Sequence, residues 1–454
     1  MTNREQIKKY INKNQKEFID VLFTLLKQPS ISSQNIGIKE CADLLQGIMK
    51  KAGIENVKIM ESNGHPFVYG DLMSPENEFT LLIYGHYDVQ PPEPLDKWIS
   101  PPFKPIIRNN KIYARGVGDN KGQLLAHILA VKTLLDLQGS IPINLKFIFD
   151  GEEENGSPNL KPFMVKHKEM LQADLIYRSD GPLDSSGAPI INLGGRGMVS
   201  LELTATGADR DHHSGNKGNI VPNPAWKLID LLSALRTPDG TVQVEGFYDD
   251  VRALSERDLE IIRSNYFDAD EKAKTYGLKH LDMDGETYFK NKSVVPTFNI
   301  NGIASGYMGE GHKTIIPSTA TVRLDVRLVA DQDPRDIFNK IKNHIQKIAP
   351  DIKVSGEGSF PPSRIPTDLP VVQAVIKSIE KTYEQKALIF LAAGSSGPNN
   401  IFTDVLNKPS ISVPYANADE DNHAPNENMN VDLFFKGIEA SCNVMNDLAD
   451  DEPS

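Results

Sequence analysis

Two hydrophobic rhythms alternate along the first part of the chain. Over residues 15–27, Phe18, Val21, Leu22, Leu25 and Leu26 recur at helical spacing. Residues 81–84 form a short apolar run ending at a glycine, which predicts a buried strand. A second helical stripe carries Leu124, Leu125, Ile128, Leu129, Val131, Leu134 and Leu135, and Gly139 marks its end. Runs at 145–149 and 175–177 again predict buried strands. Wholly apolar strands alternating with helices predict an α/β fold, with a mostly parallel sheet covered by helices on both faces.

After Gly194–Gly195 the rhythm changes. Val199, Leu201 and Leu203 alternate with Ser200, Glu202 and Thr204, the period of a strand with one wet face. Val322, Leu324, Val326 and Leu328 do the same opposite Thr321, Arg323, Asp325 and Arg327. Between them the pattern predicts a helix at 224–235 and a polar, helix-rich stretch at 248–275. Ile337, Phe338, Ile341 and Ile345 mark a further amphipathic helix. A Gly/Pro/Ser-rich link at 357–367 leads to a helix at 369–384 and apolar runs at 387–391 and 410–413. The pattern therefore predicts a discontinuous catalytic domain, 1–195 plus 360–454, with an α+β domain inserted at 196–359. No internal repeat is visible, and only the acidic tail after Asn446 is expected to fray.

The composition narrows the setting. The chain has 454 residues, 39% of them hydrophobic, enough for a large core. A formal net charge of −12 disfavours nucleic acid or an anionic membrane as partner, because both require basic surface. Cys41 and Cys442 are far apart, which excludes a disulfide scaffold and a thiolate zinc site. The polar N-terminal stretch lacks the apolar core of a signal peptide, and no window approaches 18 consecutive apolar residues. A soluble, cytoplasmic protein is expected, with chemistry built on oxygen and imidazole groups.

Four acidic or histidine motifs stand where predicted strands end. YGHYDVQP (84–91) places His86 and Asp88 two residues apart in extended chain, on the same side. A carboxylate there can accept the imidazole N–H and raise the ring's basicity toward a metal. Taken alone, the pair also suits an ordinary surface loop. Asp119, in ARGVGDNKGQ (114–123), taken alone suits a helix N-cap better than a ligand. FDGEEENGS carries Glu152, Glu153 and Glu154 in succession. Such a run is usually a solvated face, but beside a buried strand it needs a cation or proton to offset repulsion. Asp180, in Tyr177-Arg178-Ser179-Asp180-Gly181, could be a turn residue. Parallel strands place ligands at their carboxyl ends, so these groups converging on one edge imply a bound cation. Hard oxygen ligands with imidazole suit zinc, manganese or cobalt. A further ligand is expected after the insert, where His423 sits in a polar loop; His127 and His344 lie in helical stretches and suit packing or surface roles.

In this order, GHYDVQP (85–91), RGVGDNKGQ (115–123), DGEEENGS (150–157), SDG (179–181), DHHSG (211–215) and NHAPNE (422–427) resemble the di-zinc aminoacylase/carnosinase/succinyl-diaminopimelate desuccinylase family. NINGIASGY (299–307) and KTIIPSTATVRLDVRLV (313–329) look like that family's inserted lid and dimerisation domain. The resemblance spans nearly the whole chain, and the length of the insert looks more like the carnosinase-type dipeptidase branch. It implies that His86 and Asp180 hold one metal, Glu154 and His423 the other, and that Asp119 bridges them. Asp88 would orient His86, and Glu153 would be the general base. His213 resembles the histidine that reaches a partner subunit's site to stabilise the oxyanion, with His212 beside it. Arg327 resembles the arginine that meets the substrate's carboxylate. Gly394 and Ser396 fall in a glycine-rich substrate loop, here AAGSSGP (392–398), which lacks the charged pair common in the dipeptidase branch. That departure bears on substrate choice.

The activity implied is hydrolysis of dipeptides or short peptides by a hydroxide held between two divalent metals, most simply zinc, in a homodimer. Two cations about 3.5–4 Å apart can lower the pKa of a shared water from 15.7 to about 7. An N-acyl amino acid amidohydrolase would use the same machinery, and a non-catalytic binding protein on this fold is the reading from another class.

Overall fold

The computed structural model describes residues 3–394 and 398–450. Its large sheet has eight strands, in the order Glu55–Met60, Phe67–Leu72, Asn144–Asp150, Thr80–His86, Leu175–Arg178, Ser410–Ser412, Ile190–Asn192 and Leu388–Phe390. The centre is parallel: Thr80–His86 runs with both Asn144–Asp150 and Leu175–Arg178, which in turn runs with Ser410–Ser412. An antiparallel hairpin, Glu55–Met60 with Phe67–Leu72, extends one edge. The hydrophobic pattern had not revealed it, because its outer strand is largely exposed.

Helices cover both faces. The helix Lys121–Gln138 is buried almost all round and ends at Gly139, in a left-handed conformation at φ 75°. It packs beside the N-terminal helix Arg4–Lys27 and the C-terminal helix Val431–Asp450. The N-terminal helix is longer than its stripe suggested: Asn3 and Gln6 form a capping box, and Ile7 and Ile11 anchor turns that are otherwise polar. On the other face, Leu160 and Phe163 meet Ile401 and Phe402 from the helix Asn399–Leu406. Of the tail expected to fray after Asn446, residues 447–450 are helical, and 451–454 lie outside the described residues. The helix continues to Asp450 because Val444, Met445 and Leu448 are buried and Asp447 pairs with Arg4.

A second, four-stranded antiparallel sheet runs Thr297–Ser305, Thr319–Leu328, Gly197–Thr206 and Lys353–Phe360. Along Gly197–Thr206 buried and wetter positions alternate without a break until the last residue. The dry side forms its own cluster, in which Leu201, Val322 and Leu324 meet Leu228 and Leu231 of one helix and Ile337 and Ile341 of another. The polar stretch between folds differently. Ile261, Ile262, Tyr288 and Phe289, from the helices Glu256–Ser264 and Gly285–Ser293, join the large core. Asn265 locks that contact by exchanging two 2.9 Å hydrogen bonds with the backbone of Ile389. The expected link at 357–367 is in part strand, and Gly356 enables this. At φ 137° a Cβ there would come 2.1 Å from the Ser200 carbonyl oxygen, so only glycine lets the two strands pair. Among the described residues no helix is long and apolar enough to cross a membrane.

Candidate metal centre

Four loops meet at the carboxyl ends of the central parallel strands. His86 ends the strand Thr80–His86 and is fully buried. Asp119 stands just before the helix Lys121–Gln138, whose first turn is pressed so closely to the preceding loop that a Cβ on Gly122 would lie 2.1 Å from the Val117 carbonyl oxygen. Glu153 and Glu154 occupy a single 3-10 turn after Asn144–Asp150, and Asp180 follows Leu175–Arg178. His423 comes from the loop preceding the strand Asn428–Asn430, and its own φ is 57°, the left-handed region.

Asp119 is the pivot. Its Oδ1 lies 3.0 Å from His86 Nε2 and its Oδ2 lies 2.9 Å from His423 Nε2. His423 Nε2 is also 3.2 Å from Glu154 Oε2. Two groups of potential ligands result, His86–Asp119–Asp180 and Asp119–Glu154–His423, each with its ligand atoms within 4.8 Å of one another. The donors are imidazole and carboxylate, the set that suits zinc, manganese or cobalt, so the residues fit a pair of divalent cations. Without cations, the rings offset the crowded carboxylates. Hydrogen bonds from His423 and His86 overcome burial and hold Asp119 well below the ordinary carboxylate range. Asp119 and Glu154 lift His423 to about 10 despite its partial burial. Protons held this way are released when a metal takes their place.

Asp88 is fully buried and ties the groups together. Its Oδ1 is 3.3 Å from His86 Nδ1, and its carboxylate accepts the backbone N–H groups of Glu153 and Glu154, both at 3.1 Å. The Asp88 backbone carbonyl also lies 3.1 Å from His86 Nδ1. Glu153 belongs to neither ligand group, and its Oε2 is 4.0 Å from His86 Nε2. Burial pushes its carboxyl up to about 8 against the pull of His86, with Asp180, Asp119 and Glu154 adding to the rise. Asp119, Glu153, Glu154, Asp180 and His423 line a cavity of about 420 Å³.

The other expected residues lie apart from this cluster. His213 is exposed and accepts the Gly215 backbone N–H at Nδ1, 3.1 Å away. Arg327 sits on the wetter face of the four-stranded sheet, 3.4 Å from Asp325 Oδ2. Gly394 lies beside Lys292. Ser396 falls outside the described residues.

Several residues that hold the site had not been singled out. Buried Glu427, within NHAPNE, accepts the backbone N–H groups of Gly116, Gly118 and Asp119 and pairs with Arg115 at 2.7 Å, which shapes the Asp119 loop. Gln90, in YGHYDVQP, donates to Glu154 Oε2 at 2.8 Å. Asp150 receives the Ser157 hydroxyl at 2.8 Å and the Glu152 backbone N–H at 3.0 Å, bracing the turn that carries Glu153. Arg178 ends an otherwise apolar strand and is 5% exposed. A charge at the end of a buried strand was the readable signal for it.

These candidate ligands at one edge of a mixed α/β sheet fit a metallopeptidase, and the chain belongs to Peptidase family M20/M25/M40, whose model matches residues 82–447. It is a hydrolase of peptide bonds on the carnosinase-type dipeptidase branch of that family. The chain is 25% identical to the Cys-Gly metallodipeptidase dug1 of Schizosaccharomyces pombe over 476 residues, covering 99% of each. It is 26% identical to the human Beta-Ala-His dipeptidase over 457 residues, covering 95% of this chain and 90% of that protein. Among solved structures, the M20 family metallo-carboxypeptidase Sso-CP2 from Sulfolobus solfataricus is 36% identical with a TM-score of 0.84, covering 94% of this chain and 98% of the other. Human carnosine dipeptidase 1 is 25% identical with a TM-score of 0.80, covering 99% of both chains.

Proposed function

We propose that this chain hydrolyses unmodified dipeptides, with His86, Asp119 and Asp180 holding one divalent cation and Asp119, Glu154 and His423 the other. The observation that carries this reading is Asp119, whose two carboxylate oxygens face histidines of different ligand groups at 3.0 and 2.9 Å. When bound, the cation pair supplies an acidified water and a Lewis acid for the scissile carbonyl. Glu153 accepts the proton of the attacking water at its carboxylate and returns it to the departing amine nitrogen. Asp88 steadies that carboxylate by gripping the backbone of its turn, and Gln90 does the same for the Glu154 side chain.

The preferred metal is zinc, with manganese and cobalt accepted by the same donors. Residues 1–195 and 360–454 form the catalytic domain, against whose core the helices Glu256–Ser264 and Gly285–Ser293 pack, and the rest of 196–359 forms the lid through which a homodimer assembles. Support for the dimer comes from the edge strand Thr297–Ser305, which exposes Ile300 and Ile303 on an unpaired ladder. In that dimer His213 reaches the partner's cavity and stabilises the oxyanion, while Arg327, with Gly394 and Ser396, meets the substrate when the lid closes. The protein works in the cytoplasm; two buried cysteines that remain free support a reducing compartment.

The dipeptidase names of the relatives weigh against removal of N-acyl groups. A second reading, a carboxypeptidase acting on longer peptides, is favoured by the Sulfolobus solfataricus structure. Initial rates on Ala-Ala, Ala-Ala-Ala, Ala-Ala-Ala-Ala and N-acetyl-alanine, using metal-stripped protein with zinc, manganese or cobalt restored, test both. Fast metal-dependent cleavage of the dipeptide supports the proposal. A rate that rises with chain length moves the chain to the carboxypeptidases, and preference for N-acetyl-alanine overturns the peptidase specificity.

A further inference from the structure

The lining of the catalytic cavity is chemically mixed. Asp119, Glu153, Glu154 and Asp180 contribute carboxylates. Arg178, Asn399 and Pro398, where the helix Asn399–Leu406 begins, line it as well. Of the Lys and Arg side chains among the described residues, Arg178 alone lines this cavity.

Its guanidinium is incompletely used. The residue is 5% exposed, and Nη1 donates to Asn399 Oδ1 at 2.7 Å. The Nε–H is buried with no acceptor among the described residues. Nη2 has Asp180 Oδ2 as its charged neighbour, but at 3.8 Å, too far for a hydrogen bond. A guanidinium offers five N–H donors in a rigid fork, and a buried one normally fills them. The Tyr84 ring, 5.5 Å away, supports the cation without accepting its donors. Asp180 does not satisfy Arg178 fully either, since one of its oxygens lies within 4.8 Å of ligand atoms of His86 and Asp119.

We propose that Arg178 is a specificity-determining residue that binds a substrate carboxylate at the inner wall of the cavity. The fork matches two carboxylate oxygens, and Asn399 holds it in place while the first turn of the helix Asn399–Leu406 adds a favourable field for an anion. This inference rests on the cavity being the peptidase site. It goes beyond that reading by naming the group the inner wall selects. Two sources share that chemistry: the free C-terminal carboxylate, or an acidic side chain of the substrate.

The test uses metal-loaded wild type, Arg178→Gln and Arg178→Lys, each checked for melting temperature and for two metals per chain. The first arm needs no turnover: calorimetry with succinate and with its monoamide succinamate as probes. Wild type should bind succinate about 10- to 100-fold more tightly than the monoamide, the value of one charge-assisted hydrogen-bonded contact, and R178Q should abolish the difference. R178K, which keeps the charge but not the fork, should retain part of it. The second arm compares kcat/KM for Ala-Ala against Ala-alaninamide, and for Glu-Ala against Gln-Ala. A preference erased by R178Q in the first pair assigns the C-terminal carboxylate, and one erased in the second assigns the side chain. Equal binding of succinate and succinamate by wild type overturns the proposal, whether or not the variants fold. Equal losses on acid and amide in R178Q, with depleted metal, also overturn it and leave Arg178 as a support for Asp180. Wild type that hydrolyses no dipeptide while the calorimetric difference stands refutes the dipeptidase reading alone.

Discussion

Asp88 offers a sharp separation of roles, because it serves His86 and Glu153 through different atoms. In Asp88→Asn, His86 loses little: the residue 88 backbone carbonyl, 3.1 Å from Nδ1, still accepts the ring proton and holds the tautomer. The Glu153–Glu154 turn loses more. Its two backbone N–H groups each point at one carboxylate oxygen, at 3.1 Å. An amide keeps one acceptor and turns an NH2 group toward the other N–H, so one charged hydrogen bond is lost at a fully buried position. Such a bond is worth about 1.5–3 kcal/mol. If the loss is felt in positioning the base, kcat/KM falls about 10- to 150-fold, at 1.36 kcal/mol per decade. Metal affinity should change by less than about tenfold, below the full range seen when a supporting partner is removed. Steady-state kinetics on a dipeptide, paired with metal analysis of the dialysed variant, measures both quantities. Unchanged turnover would refute the argument, as would loss of metal with normal turnover in the fraction that keeps it.

Other predictions follow from the same geometry. Glu153→Gln should keep two metals per chain and lose about 10²- to 10⁴-fold in kcat, the usual contribution of a general base; loss of metal would instead make Glu153 a ligand. His213→Ala should lower kcat by about 10²- to 10³-fold, and mixing it with a Glu153→Gln chain should restore some activity through hybrid dimers; no restoration would place His213 outside the partner's site. His127 is buried between Tyr177 and Tyr415, with Ser441 Oγ 2.9 Å from Nδ1, and burial lowers its pKa from 6.5 to about 3. The unfolded chain therefore binds the extra proton between those values, so this contribution to stability is complete above pH 6.5. It is lost toward pH 3, at about 1.4 kcal/mol per pH unit. Urea melts between pH 7 and 5 should show that slope in wild type and a shallower one in His127→Gln; parallel slopes would refute the assignment.

Much of this protein was legible in one dimension because its chemistry is local to strand ends. The helix at Lys121–Gln138 and the strands Thr80–His86, Asn144–Asp150 and Leu175–Arg178 all announce themselves by apolar periodicity. His86, Glu153, Glu154 and Asp180 were visible as acidic or imidazole groups where buried strands stop, and Asp119 as one where a buried helix begins. Elements whose burial depends on distant partners were harder to read. The exposed strand Glu55–Met60 and the first turns of Arg4–Lys27 carry too few apolar residues to show a period. The polar stretch at 248–275 gave no sign that Ile261 and Ile262 would cross to the larger core.

The sequence by itself determined the fold class and the inventory of candidate ligands, since hydrophobic period and residue type are properties of short segments. Only the tertiary structure decided which of these carboxylates stand together. Asp119 became the pivot because a strand end and a loop far apart in the chain bring His86 and His423 to opposite oxygens of one side chain. Glu153 and Glu154, adjacent and alike in sequence, diverged because one turn, held from below by Asp88, sends one toward His423 and leaves the other beside the cluster. Arg178 drew meaning only from the cavity it lines and the donor left without a partner there. Period and composition are written along the chain, whereas distance, desolvation and the facing charge belong to pairs of residues that only folding brings together.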